Sequence, residues 1–412
     1  MFIMTKTTTS VETVRVIAGV DTHADTHHAA VIDTHGRQLG DAKFPTTPVG
    51  YRALAAFIGA FGTIGSVGVE GTSSYGAALT RYLTDSGITV VEVIRPNRQT
   101  RRMRGKSDPI DALEAAKTAL AAEHTVTPKD TTGQVEALRY LMVARRSALK
   151  ARTAAQVQIK SLLVTAPDSL RQRLRDLNDT ALITQIARLR PPADPVRGPI
   201  ERSLKSLARR HQALSEELDL LDTELDQITR DIAPALAAAH GTGPSSCAQL
   251  LITFGENTDR IHSEAAFAAL CGTSPVPASS GKTSRHRLNR GGDRQANAAL
   301  YRIIITRLRS HQPTRHYMER HLNAATHNKP EIIRRLKRAL VREIYQHITN
   351  PQPIPDNSDL RDRRLAHAIP QTEAARHLGT WPARISEIER GTRRDDALAT
   401  AYRQWLNTLD TP

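Results

Sequence analysis

Between Val14 and Ala122, short apolar runs rich in β-branched residues alternate with stretches of helical period, the pattern of an α/β domain. VRVIAGVD reads as a buried strand ending on Asp21, and HHAAVID as its hairpin partner. A helix is expected from Val49 to Phe61, a second buried strand over IGSVGVE ending on Glu70, and a third over ITVVEVI. DPIDALEAAKTALAAE consists of good helix formers, with Asp108 as the expected N-cap and Pro109 at the first helical position.

From Gln134 to Pro234 the composition shifts to Leu, Ala, Arg and Glu with few glycines, which predicts long helices. In its second half the apolar residues Ile200, Leu204, Leu207, Leu214, Leu218, Leu221, Leu225, Ile228 and Ile232 keep a heptad seam, so a coiled coil or long helical hairpin is expected. PPADPVRGP, 191–199, is the natural turn between its arms. A third region, from about Ala235 to Asn350, opens with the glycine-rich HGTGPSSCAQLL. Its GTGP suits either a phosphate-binding turn at a helix N-terminus or a plain helix-breaking loop. The proline-rich NPQPIPDNSD then marks a boundary. Four domains follow: 13–125, 130–234, 235–350 and 357–412.

Charge narrows the function classes. Over 412 residues, 57 Lys and Arg face 42 Asp and Glu, a net charge of +15, which suits a phosphate-rich partner. Nucleic acid is therefore expected before an anionic membrane, because the chain lacks an apolar run of spanning length and a basic amphipathic segment with aromatic anchors. MFIMTKTTTS is too short in its apolar part for a signal peptide, and two cysteines, Cys247 and Cys271, build neither a disulfide framework nor a thiolate zinc site. A cytoplasmic protein is expected.

Four acidic residues stand at positions suited to a metal: Asp21 and Glu70 at strand ends, Asp108 and Asp111 in KSDPIDA. Hard divalent cations prefer oxygen ligands, and two ions about 3.5–4 Å apart can clamp the attacking and leaving oxygens of a phosphodiester. Asp108 and Asp111, three apart, share one helix face. Any one of them alone reads more readily as a turn or cap residue than as a ligand; all four in the order strand, strand, helix point to metal. Asp25, Asp33 and Glu92 read as solvated, and His23, His27 and His28 as exposed hairpin residues rather than a transition-metal site.

VIAGVDTHADTHHAAVID, SVGVEGTSSYG and RGKSDPIDALEAA resemble the N-terminal blocks of the IS110 family of insertion-sequence recombinases, the DEDD transposases related to Piv-type invertases. GTGPSSCAQLLITFGE and AFAALCGTSPVPASSGKTSRHRLNRGGDRQANAALY resemble their C-terminal transposase block, so the likeness runs over roughly residues 14–350. It implies an α/β RNase H-like (RuvC-like) N-terminal domain, a helical coiled-coil hairpin and a mainly α transposase domain. Asp21, Glu70, Asp108 and Asp111 would hold Mg2+, with Mn2+ as a substitute, and Ser280 would attack the DNA backbone. A homo-oligomer, dimer or tetramer, is implied, with the two halves of the active site from different subunits, and in some relatives a non-coding bridge RNA chooses the DNA. The family's usual Lys three residues after the first Asp is Ala24 here, which removes a basic contact but no ligand.

A serine hydroxyl needs a base, a metal or a positive field to become nucleophilic. Lys282, Arg285, His286, Arg287, Arg290 and Arg294 supply the field around Ser280, with individual phosphate contacts as their simplest role; Ser279 and Ser284 rank below Ser280. Lys106, just ahead of Asp108, is a further expected nucleic-acid contact. IPQTEAARHLGTWPARISEIERGTRR resembles the helix-turn-helix of phage-repressor-like regulators, a small all-α domain. Gly379 would make its turn, Ile385 and Ile388 would face inward, and Arg384 would face bases. A helical protein-contact module is the alternative there. For the whole chain the rivals are a RuvC-like nuclease in which water attacks and a non-enzymatic DNA-binding regulator.

Overall fold

A computed structural model describes residues 14–93, 107–122, 125–278, 286–287, 289–324, 328–353, 355–392 and 395–410. The chain divides into two compact units, Met1–Thr131 and Thr132–Pro412.

The first unit is built on a six-stranded mixed sheet of order β3-β2-β1-β4-β5-β6. β1 (Arg15–Thr22), β2 (Thr26–Asp33) and β3 (Gln38–Pro45) form an antiparallel meander. α1 (Pro48–Gly59), capped by the Thr47 side chain, leads to β4 (Thr63–Val69), which runs parallel to β1. α2 (Ala77–Asp85) leads to β5 (Val90–Val93), parallel to β4. α3 (Asp108–Ala121) precedes the short β6 (Thr125–Val126), antiparallel to β5. Every β1 residue from Val16 to Asp21 is buried, as expected of a strand covered on both faces. Val16, Ala18 and Val20 pack with Leu54, Ile58, Leu79 and Leu83 on one side, and Ile17 packs with Ala116 and Ala119 of α3 on the other.

The α3 side is unusually close. A Cβ on Gly19 would lie 2.0 Å from the Ala116 amide nitrogen and 2.2 Å from the Ala112 carbonyl oxygen, and one on Gly68 would lie 2.8 Å from the Ala115 carbonyl oxygen. The alanine face of α3 therefore rests on bare strand backbone, which fixes the helix by main-chain contact. The N-cap of α3 is Ser107 and not Asp108, so Asp108 is the first helical residue. β3 was absent from the pattern reading. QLGDAKFP is poor in β formers and half exposed, an edge strand held by pairing with β2.

In the second unit α4 (Gln134–Val164) and α7 (Arg197–Ile232) pack side by side. None of the nine expected seam residues on α7 is exposed, whereas Leu220, off the seam, is 73% exposed. The turn between these helices is broader than the proline-rich segment alone. α5 (Asp168–Leu174) and α6 (Asp179–Ala187) intervene and make a small core from Leu170, Leu174, Ile183 and Ile186 with Ile159 and Leu204. The other end of the pair joins the largest core through Leu138, Met142 and Leu225. That core also takes in α8 (Pro234–Ala238), α9 (Pro244–Phe254), α10 (Glu264–Leu270), α11 (Arg294–Ser310), α12 (Gln312–Asn323) and α13 (Lys329–Thr349). β7 (Val276–Pro277) and β8 (His286–Arg287) pair as a two-stranded ribbon. Cys247 and Cys271 are free and buried, and burial pushes each thiol up to about 12.

Four short helices end the chain: α14 (Ser358–Ala366), α15 (Gln371–His377), α16 (Pro382–Glu389) and α17 (Asp396–Asp410). Their core holds Leu360, Ala374, Ile385, Ile388, Tyr402 and Leu406 around a buried Arg364–Glu389 ion pair. Gly379, between α15 and α16, has φ +61°, a conformation that glycine adopts without strain. Among the described residues no helix is long and apolar enough to cross a membrane.

Candidate metal centre

Three elements of the first unit deliver the four expected carboxylates. Asp21 lies in β1 and Glu70 directly follows β4; the register pairs Val20 with Val69, so the two acids stand at the same end of neighbouring parallel strands. The Glu70 amide donates to the Val20 carbonyl at 3.2 Å, and Thr22 Oγ1 donates to the Glu70 carbonyl at 2.9 Å, locking the two strand ends together. Asp108 and Asp111 occupy the first turn of α3, whose contact with Gly19 brings that turn beside Asp21. The helix N-terminus adds its own positive end to this pair.

Asp21 feels this crowding. Burial raises its pKa, the charges of Asp111 and Asp108 raise it further, and His23 opposes them, with a net upward shift. Asp21 and Asp111 are 7% and 1% exposed, so neither charge is relieved by water. Among the described residues Asp21, Asp108 and His23 bring ligand atoms within reach of one ion, with Asp111 in the same helical turn and Glu70 at the neighbouring strand end; carboxylate oxygens crowded in this way are donors that fit a hard divalent cation.

Two basic side chains reach the same place. His23 Nε2 lies 3.2 Å from Asp21 Oδ2 and 3.4 Å from Asp108 Oδ1. Lys43 Nζ, on β3, lies 3.8 Å from Asp108 Oδ2. Cross-strand pairing puts Asp21, His28 and Lys43 in one row. Asp25 is exposed as expected, whereas His27, His28 and Asp33 depart from the sequence reading. His27 is fully buried and stacks on Tyr51, with ring centroids 5.8 Å apart. His28 is buried and bonds Asp41 at 2.7 Å. Asp33, expected in solvent, is buried and accepts from the His35 and Arg37 amides and the Arg37 side chain. The cause is the position of β2, sandwiched between β1 and β3 and covered on both faces.

Ser280, with Ser279, Lys282, Ser284 and Arg285, and also Lys106, falls outside the described residues. Flanking them, Arg287, Arg290 and Arg294 are all exposed, with Asp293 capping α11 through the Gln295 and Ala296 amides. The second unit also holds a cleft of about 1000 Å3 that sequence reasoning missed, lined by Arg287, Arg334, Arg335, Arg338 and Arg342. In sequence α13 looks like any amphipathic helix; only its packing beside the 272–275 loop gathers these arginines. Arg384 corrects the reading of the last helices. It is 9% exposed, and its guanidinium is bound to Glu387, Asp395 and the His240 ring, so it faces the protein and not a groove.

A transposase family model, the DEDD transposase of the IS110 type, matches residues 18–167, and the model described as Transposase IS116/IS110/IS902 family matches residues 233–319. This chain belongs to the IS110 transposase family. No curated protein matches it at a significant level. The two matches come in the order the family blocks predict but cover less than the expected 14–350: α5, α6 and α7 lie between them, and α13 and the terminal helices lie beyond. As an IS110-family transposase the protein is a DNA-recombining enzyme, and the carboxylate cluster lies within its first family match.

Proposed function

We propose that this transposase cuts and rejoins DNA at the ends of an insertion sequence through a transient phosphoserine link at Ser280, assisted by an ion held by Asp21, Glu70, Asp108 and Asp111. The observation that carries the reading is the placement of these acids on two neighbouring parallel strand ends and one helix start, with Asp21 and Asp108 close enough to share an ion, in a chain matching both transposase models in order. The sheet, an antiparallel meander continued by parallel strands, supports an RNase H-like fold for the first unit. When bound, Mg2+ or Mn2+ would supply positive charge to the phosphoryl oxygens.

The remaining chemistry belongs to the chain. The Ser280 oxygen forms a bond to phosphorus as the bond to a deoxyribose oxygen breaks. The serine proton leaves and the departing sugar oxygen takes one up, so no phosphodiester energy is lost to hydrolysis. Lys282, Arg285, Arg287, Arg290 and Arg294 hold the phosphate, and the arginines of α13 continue the track for the strand. The α4–α7 pair is read as a coiled-coil hairpin of a homo-oligomer, dimer or tetramer. α15 and α16 with the Gly379 turn are read as a helix-turn-helix resting on the transposase core, and a bridge RNA as the guide that the family likeness implies.

A suicide DNA substrate carrying an element end tests the central step. The intact protein is expected to give a denaturation-resistant adduct that Ser280→Ala abolishes. An adduct that survives in Ser280→Ala overturns the serine assignment, and cleavage without any adduct in the intact protein supports attack by water instead.

A further inference from the structure

We infer that His23 is a ligand of this metal centre, which makes it a mixed nitrogen–oxygen site that favours Mn2+ over Mg2+. The inference rests on the proposed role of the four carboxylates and adds a donor that their pattern does not contain. The geometry carries it. His23 Nε2 lies 3.2 Å from an Asp21 oxygen and 3.4 Å from an Asp108 oxygen, and the three atoms fall within 4.8 Å of one another. The Asp21 contact is a long hydrogen bond and the Asp108 contact is longer still, against about 2.7–2.9 Å for a charge-assisted bond. They match the edges of a coordination shell: ligands about 2.1 Å from an octahedral ion stand about 3.0 Å apart, and those around a tetrahedral one about 3.3 Å apart.

Local structure holds the ring there. Asp21 and His23 are two residues apart, so an extended backbone turns both to one face, and the His23 amide fixes the turn by donating to the Thr26 carbonyl at 3.1 Å. The neighbouring histidines are engaged elsewhere, His28 with Asp41 and His27 against Tyr51. Lys43 approaches Asp108 through its other oxygen, Oδ2, leaving Oδ1 on the side of His23. A neutral imidazole adds little to Mg2+, which demands hard oxygen ligands, but strengthens binding of the softer Mn2+.

The test uses the full chain titrated with Mn2+ alone, read by calorimetry and by pulsed electron paramagnetic resonance for nitrogen coupled to the ion. The intact protein is expected to show nitrogen coupling that disappears in His23→Ala and His23→Gln. Both variants should lose at least about tenfold in Mn2+ affinity, the scale on which metal sites respond to lost support, while Mg2+ affinity moves less than Mn2+ affinity. Bound Mn2+ that depends on Asp21 but carries no nitrogen coupling, or coupling that persists in His23→Ala, overturns the His23 assignment alone. Failure of Mn2+ to bind, or equal binding by Asp21→Asn, overturns the carboxylate centre along with it.

Discussion

The acid-bearing strand ends of the first unit and the C-terminal helices follow from the same kind of pattern, yet the two regions fix their charged residues by different means. Asp21, Glu70, Asp108 and Asp111 are placed by backbone: strand register, the main-chain hydrogen bond from Glu70 to Val20, and a helix lying on Gly19. Arg384 is placed by partners. The helix that carries it forms as expected and buries Ile385 and Ile388, but Glu387 one turn along, with Asp395 and His240 from elsewhere in the chain, captures the arginine. Period and register are written locally in a sequence; the partner of a long charged side chain is not.

The contrast can be broken at four points. The largest effect is expected at Asp21. Asp21→Asn removes a charge that burial and the neighbouring acids already disfavour. Transposition should fall by at least about a hundredfold, the scale of losing an electrostatic contributor to a transition state, while the metal-free protein melts higher than the parent. A variant that is inactive and also less stable would mean that the cluster is a structural network.

Gly19→Ala comes next. Its Cβ meets main-chain atoms of α3 that no rotamer change can move, so a loss of about 3 kcal/mol is expected from overpacking. Gly59→Ala, where a Cβ meets nothing within 4 Å, should instead be neutral or stabilising by up to about 1 kcal/mol. Chemical denaturation of the two variants reads the difference directly. Equal behaviour would show that α3 is not seated on the strand.

Arg384→Ala should cost about 2 kcal/mol, because it removes a buried guanidinium from two partly buried acids and leaves them without their cation. Arg390→Ala, exposed at the C-cap of the same helix, should leave stability unchanged. DNA affinity lost in Arg384→Ala with no change in melting would restore the arginine to a groove. The smallest effect concerns pH. Burial and the nearby charges of Arg307 and His240 hold His311 at about 4 against the ordinary 6.5, with Asp395 and Glu343 pulling the other way. The unfolded chain then takes up a proton as pH falls through 6.5 and the folded one does not, so stability is lost between pH 6.5 and about 4. His311→Gln should flatten that stretch of a melting-versus-pH curve.

The α/β order, the acid-bearing strand ends and the inward isoleucines of α16 were legible because each follows from a repeat of two or of 3.6. The cap of α3 shifted by one residue, since Ser107 and Asp108 are both good caps and the choice depends on the docking of the helix. The burial of His27, His28 and Asp33 was hidden because it depends on β3, a strand whose composition hardly marks it. The arginine cleft of α13 was hidden for a related reason: its other wall lies more than fifty residues upstream, around Gly272 and Thr273.

The bare contact at Gly19 has one more consequence, for how this centre can drift. With no side chain between strand and helix, the spacing of the acids is set by main-chain radii, which substitution cannot alter. Residues elsewhere in the sheet can exchange freely as long as Gly19 and the alanines facing it stay small. A library randomised over the first unit and selected for transposition should therefore keep those few small residues almost as strictly as the acids themselves.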